Sequence, residues 1–227
     1  MSVLRHLPNA LTCANLVCGC LGILNLFGGS QPTAYFIWAA VGFDFLDGFA
    51  ARGLKVSSPI GKELDSLADV VSFGVLPSLA MFQWIGLTTQ TEYVPFVALL
   101  LAVFSALRLA KFNVDQNQSE SFIGLPTPAN ALFISALPFL PDALTASVFS
   151  LYGLLSITLL FSWLLVAPIH LFALKFKNFT WRDNQVRFTF LMLSVLLLVL
   201  LKAGALPLII LMYVGLSLGT RWVSTNK

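Results

Sequence analysis

Four aspartates stand where aspartate is disfavoured. Asp44 and Asp47 fall in one apolar stretch, Asp65 and Asp69 in the next. A carboxylate near the centre of a membrane-spanning helix costs roughly 2.5–3.5 kcal/mol on insertion scales, so four would cost on the order of 10 kcal/mol. Spacings of three and of four residues put each pair on one helix face. The linker between the two stretches is short and basic, so the helices are antiparallel neighbours and the four carboxylates can converge at one mouth. Close carboxylates repel one another. Arg52 offsets one charge; two divalent cations would offset four. All-oxygen ligation suits Mg2+ or Mn2+, and a two-metal site can clamp a phosphoryl group during in-line displacement. Gly48 and Ala51 follow on the face of Asp44, and their small side chains let a ligand approach the backbone.

Two other readings of these residues stay open at this point. One is a scatter of polar residues in a helix bundle. The other is a cation or proton transporter, in which paired Asp residues also occur within spans. Against the transporter, the sequence has no clear inverted repeat and no matched pair of broken helices.

The elements that must position these carboxylates follow from composition. The chain has 227 residues, 58% of them hydrophobic and only 10% charged, against roughly 25% charged in a soluble domain. The mean hydropathy is +0.87. These values exclude a disordered chain and predict an all-α polytopic membrane protein. The net charge of +3 comes without a Lys/Arg-rich run, so no nucleic-acid partner is expected. Cys13, Cys18 and Cys20 have no metal-ligand spacing and read as small buried residues.

Spans of about 20 apolar residues are expected near 10–28, 33–54, 62–87 and 93–113. A fifth, Ser121 to Pro141, is shortened by Pro126, Pro128 and Pro138, and a sixth runs from Ala143 to Leu174. After a basic loop, two more lie near 188–203 and 205–221. About eight spans place both termini on one side. Twelve of the thirteen Lys and Arg residues then fall on that side, Lys202 being the exception. The positive-inside rule makes it the cytoplasmic side of the cell inner membrane, with the Asp mouth on it.

The run Asp44-Phe45-Leu46-Asp47-Gly48-Phe49-Ala50-Ala51-Arg52, then Gly61-Lys62-Glu63-Leu64-Asp65-Ser66-Leu67-Ala68-Asp69, resembles the signature of the CDP-alcohol phosphotransferase family. That signature reads D-x-x-D-G-x-x-A-R, a spacer, then G-x-x-x-D-x-x-x-D, and every defining position is present. The resemblance covers the first six spans, and divides the chain into a six-helix core at 1–174, a cytoplasmic basic loop at 175–187 and two additional helices at 188–227. Pro8-Asn9-Ala10-Leu11-Thr12, Arg108-Leu109-Ala110-Lys111-Phe112-Asn113 and Phe122-Ile123-Gly124-Leu125-Pro126-Thr127-Pro128-Ala129 look like the phosphatidylserine synthase branch. Lys111 stands where the branch usually has Arg; charge is kept but the bidentate fork is lost.

The resemblance implies attack of the L-serine hydroxyl on the phosphatidyl phosphorus of CDP-diacylglycerol, with CMP leaving. It implies Asp44, Asp47 and Asp65 as metal ligands, with Asp69 near the metals as general base. It implies that Gly48, Ala51 and Arg52 border the CDP moiety. Gly61 and Lys62 adjoin the same motif, and Lys62 can reach a phosphate or serve as a loop cation. Asn9 and Thr12 can hydrogen-bond the nucleotide or cap a helix. Arg108, Lys111 and Asn113 are candidates for the serine carboxylate, or anchors at the membrane interface. The family forms homodimers, and the same is implied here. Other acceptors within the family, such as glycerol phosphate, inositol phosphate or choline, and an archaeal-type lipid donor, are the alternatives.

Overall fold

A computed structural model describes residues 3–56, 58–114, 121–172 and 180–225. The first part of the expected basic loop, 175–179, lies outside the described residues. Helix α1 (Leu7–Leu26) and α2 (Thr33–Leu54) form a hairpin across the Gly28–Pro32 turn. α3 (Pro59–Asp69) runs through a π-helical segment (Val70–Val75) directly into α4 (Leu76–Thr88). A 3-10 turn (Val94–Ala98) leads into α5 (Leu99–Val114), and α6 (Thr127–Ala136), α7 (Asp142–Val148), α8 (Leu151–Val166), α9 (Trp181–Leu201) and α10 (Ala205–Thr225) follow.

α1 carries its polar face inward. Its buried residues are Pro8, Thr12, Asn15, Gly19 and Gly22, one stripe at alternating steps of four and three. Val17, Leu21 and Leu24 point out. In a bilayer the lipid is as apolar as leucine, so small and polar residues mark the helix–helix contacts. Cys13 and Cys20 are exposed on this outer face and Cys18 is half-buried. The expectation of three buried cysteines is therefore corrected: next to lipid, a small apolar side chain needs no protein cover.

α2 ends on Lys55 in the left-handed region (φ 53°). α3 restarts after Ser58, whose Oγ accepts from Gly61 N at 2.9 Å, with Pro59 in the first helical position. The turn is short and α1 packs on both α2 and α3, which brings the two aspartate pairs to one end of the bundle. The helix widens at Val70–Val75, just before Pro77. Pro77 has no N–H to give to the carbonyl of Phe73, and a π segment takes up the resulting mismatch.

The expected fifth and sixth spans are corrected. Ser121–Ile123 is a strand, β1, paired antiparallel with β2 (His170–Phe172), Phe122 opposite Leu171. The helical bundle is thus closed on one side by a two-stranded ribbon. The chain between is broken by its prolines and by Ser150, which caps α8; α6 and α7 meet at a bend of 116°. Among the described residues, five helical stretches are long and apolar enough to cross a membrane, or six if the bent pair is one span. The fifth of them, Asn184–Gly219, folds back at Lys202 (φ 50°), so that Phe190 of α9 meets Tyr213 of α10 with ring centroids 5.8 Å apart. α8 has 16 residues, about 24 Å against a hydrocarbon core of about 30 Å. Among the described residues, length and composition confirm a multi-pass helical membrane protein but not the exact count of about eight spans.

The main core lies among α4, α5, α6 and α8, where Met81, Leu101, Ile134 and Leu154 are fully buried. Phe133 stacks on Phe161 at 3.9 Å between centroids. Gly124 joins ribbon to core: its φ is +75°, its N–H donates to Ile169 O at 2.9 Å, and a Cβ there would strike the Leu165 carbonyl. Gly124→Ala is expected to destabilise the fold by about 1–3 kcal/mol through overpacking, seen as a lower melting temperature of the purified protein. An unchanged melting temperature would show that the junction is loosely packed.

Candidate active site

The carboxylates do converge. Asp44, Asp47 and Asp65 each bring an oxygen into a group whose members all lie within 4.8 Å of one another. Asp47 is 7% exposed, and Asp44 and Asp65 are half-buried. Thr12 of α1 donates through Oγ1 to Asp47 Oδ2 at 2.6 Å. It fixes that carboxylate and caps no helix. Asp65 Oδ1 is buried and has no hydrogen-bond partner. An all-carboxylate donor set, one of whose members has a buried oxygen without a partner, suits a hard divalent cation.

Asp69 stands apart from this trio but within electrostatic reach of all three. It is 6% exposed and accepts from Asn15 Nδ2 at 3.2 Å. The backbone at Asn15 is held in turn: Ser72 Oγ, in the π segment, donates to the Asn15 main-chain carbonyl at 3.0 Å. Gly19 makes this possible, because a Cβ on it would collide with Ser72 Oγ. Asn15 is missed by the motif reading. Its signal in the sequence is a Thr12-x-x-Asn15 step in an uncharged span, three residues apart and so facing the same neighbours.

A cavity of about 230 Å³ opens beside the trio, with Asp47 and Asp65 in its wall. Asn9, Thr12, Gly48, Ala51, Gly61 and Lys62, all expected near the nucleotide, line it too. Gly61 is needed for its closeness to α1: a Cβ there would sit 3.0 Å from Asn9 Oδ1 and from Ser58 Oγ. Arg52 is outside the lining but lies along its edge, with Nη1 3.4 Å from where a Cβ on Gly48 would stand.

Of the three residues expected to hold an acceptor carboxylate, Arg108 and Lys111 share a cavity and Asn113 turns away. Arg108 is 8% exposed, points within electrostatic reach of Asp69 and of Tyr213 on α10, and leaves its Nε unpaired. Lys111 is exposed and lines, with Arg108, a separate and mostly apolar cavity of about 420 Å³. Asn113 is tied to α3 instead. Its Nδ2 donates to Ser66 Oγ at 2.9 Å and to Glu63 Oε2 at 3.4 Å, while its carbonyl accepts from Lys62 Nζ at 2.8 Å.

Comparison with known proteins agrees with this geometry. A family model described as CDP-alcohol phosphatidyltransferase matches residues 5–221. A Bacillus subtilis protein named CDP-diacylglycerol–serine O-phosphatidyltransferase is 37% identical over 141 residues, which is 60% of this chain and 77% of that protein. Proteins of the same name from Helicobacter pylori and Methanocaldococcus jannaschii are 38% and 37% identical over 56% and 55% of the chain. The matched segments span about half of those two relatives, 54% and 56% of their lengths.

Proposed function

The chain belongs to the CDP-alcohol phosphatidyltransferase family, and from that membership we propose that it is a CDP-diacylglycerol–serine O-phosphatidyltransferase. It joins CDP-diacylglycerol to L-serine and releases phosphatidylserine and CMP. The observation that carries this reading is the Asp44–Asp47–Asp65 group, two of whose members, Asp47 and Asp65, line a cavity bordered by Gly48, Ala51 and Gly61.

Asp44, Asp47 and Asp65 would hold divalent cations, Mg2+ or Mn2+. Bound there, such cations would neutralise pyrophosphate oxygens and make CMP a better leaving group. The rest of the work belongs to the chain's own residues. Gly48, Ala51 and Gly61 let the nucleotide lie against helix backbone, and Arg52, Lys62, Asn9 and Thr12 supply donors around it. Asp69 takes the proton from the serine hydroxyl while that oxygen bonds to the phosphatidyl phosphorus and the bond to the CMP oxygen breaks. Asn15, gripping one oxygen of Asp69, leaves the other free to accept that proton. Arg108 lies at the same level and can hold the serine carboxylate.

The protein is a multi-pass membrane protein by its apolar helices. We place it in the cytoplasmic membrane with both termini and the site on the cytoplasmic side, because twelve basic residues gather there in the sequence. Water-soluble serine and the CDP group then meet a lipid whose chains stay in the bilayer. A homodimer is part of the proposal. Gly215 and Gly219 of α10 have open space where a Cβ would stand, as a GxxxG face that meets a second helix requires.

The test is CMP release from CDP-diacylglycerol across a panel of acceptors. Release that requires serine and a divalent cation is the expected result. Release with glycerol phosphate, inositol phosphate or choline in place of serine would reassign the acceptor. Metal uptake into proteoliposomes without any CMP would refute the enzyme and leave a transporter.

A further inference from the structure

Beyond the carboxylates, a second set of polar atoms is buried without partners. Besides Asn15 Oδ1 and Ser162 Oγ, it includes Ser105 Oγ, Arg108 Nε, Thr127 Oγ1 and both amide atoms of Asn130. Ser105, Thr127 and Asn130 are fully buried. Each helix offers its pair on one face, Ser105 with Arg108 on α5 and Thr127 with Asn130 on α6. Both helices pack against the π segment that begins where Asp69 ends. A Cβ on Gly74 would stand 3.0 Å from the Ser105 Cβ, and Ala131, next to Asn130, shares a buried cluster with Phe73. Arg108 reaches from this region toward Asp69.

Native proteins rarely leave such atoms unpaired, and an amide with all its capacity unused needs an explanation. The chemistry of the set specifies a ligand. Among the described residues Arg108 is the only buried Lys or Arg. One guanidinium matches one carboxylate; a phosphorylated polyol would bring about two negative charges and find a single cation. Asn130 Oδ1, Thr127 Oγ1 and Ser105 Oγ are neutral acceptors suited to an ammonium group. We propose that Asn130, with Thr127, determines acceptor specificity by taking the ammonium end of a small zwitterionic hydroxy amino acid whose carboxylate Arg108 holds. This rests on the reading of the chain as a transferase that uses serine, and it assigns α6 a role that the motif reading left to α5 alone.

The experiment compares the full-length wild type with Asn130→Leu and Thr127→Val in the CMP-release assay, titrating serine and CDP-diacylglycerol separately. Both variants keep the number of side-chain heavy atoms and their branching, and Thr127→Val removes little more than the hydroxyl. The expected result is a serine KM raised roughly tenfold or more, as for other sites built to hydrogen-bond a substrate, with the CDP-diacylglycerol KM unchanged. With 3-hydroxypropanoate, which lacks the ammonium group, the wild type should work poorly and Asn130→Leu should lose much of its preference for serine over it. A purely structural role would not move that ratio. Wild-type serine KM in both variants overturns the proposal, most clearly if Asn130→Leu also melts higher, as replacing an unpaired buried amide with carbon would do. If Asn130→Leu does not fold, Thr127→Val alone decides. Absence of serine-dependent CMP from the wild type itself refutes the functional reading, and the specificity role with it; a serine-active wild type with unaltered variants refutes the specificity role only.

Discussion

Asp69→Asn should lower serine-dependent CMP release by about 10²–10⁴-fold, the range for loss of a general base, while binding of CDP-diacylglycerol stays near wild type. The substitution is nearly isosteric. Asparagine Oδ1 can still accept from Asn15 Nδ2, so the 3.2 Å contact that fixes the side chain survives. What disappears is the second carboxylate oxygen and its capacity to take a proton. The trio of Asp44, Asp47 and Asp65 is untouched, because Asp69 lies outside the group whose oxygens approach within 4.8 Å. Turnover and CDP-lipid affinity measured on the same preparation separate the two roles. Retention of most of the turnover would remove Asp69 from proton transfer. A parallel loss of lipid affinity would make it a ligand-positioning group instead.

Why the convergence of Asp44, Asp47 and Asp65 could be anticipated, while the parting of Asn113 from Arg108 could not, is a matter of range. Spacings of three and four within one helix are set by local geometry, so the two Asp pairs declared their faces from the chain alone. The second span was expected at 33–54 and α2 occupies Thr33–Leu54, because a turn with Gly28, Gly29 and Pro32 marks one end and the motif's Arg52 the other. The contacts that finish the site are distant in sequence. Asn15 and Asp69 are 54 residues apart, and Thr12 and Asp47 are 35 apart. The Thr12-x-x-Asn15 spacing shows that the two share a face, but not which aspartates they meet. Hydropathy also failed to separate a continuous span from a broken one between Ser121 and Phe172, since apolar strand, short helix and bent helix share a composition. Arg108, Lys111 and Asn113 part for a related reason. Arg108 and Lys111 line one cavity, but five residues of α-helix place Asn113 about 140° around the axis from Arg108. That rotation sends Asn113 to Ser66 and Glu63 of α3 and leaves Arg108 facing Asp69.

Removal of divalent metal should abolish CMP release, and Mg2+ or Mn2+ should restore it. Asp44→Asn should then raise the metal concentration needed for half-maximal activity by more than tenfold, whereas Asp69→Asn should leave that requirement close to wild type. The difference follows from charge and position. Asp44 is one of three anionic donors whose oxygens already stand close together, so its amide replacement removes a third of the negative charge that would meet the cation and leaves a weaker, neutral oxygen. Asp47 is held by Thr12 and Asp65 has an unpaired buried oxygen, so neither needs to rearrange to bind; the trio is preorganised, and losing any one member disturbs the whole donor set. Metal titrations of the two variants, read by CMP release and by direct binding of Mn2+, check the division. Equal metal requirements in Asp44→Asn and wild type would dissolve the trio as a metal site. Full activity in chelator would do the same, and would leave the mutual repulsion of three close carboxylates to be offset by protons alone.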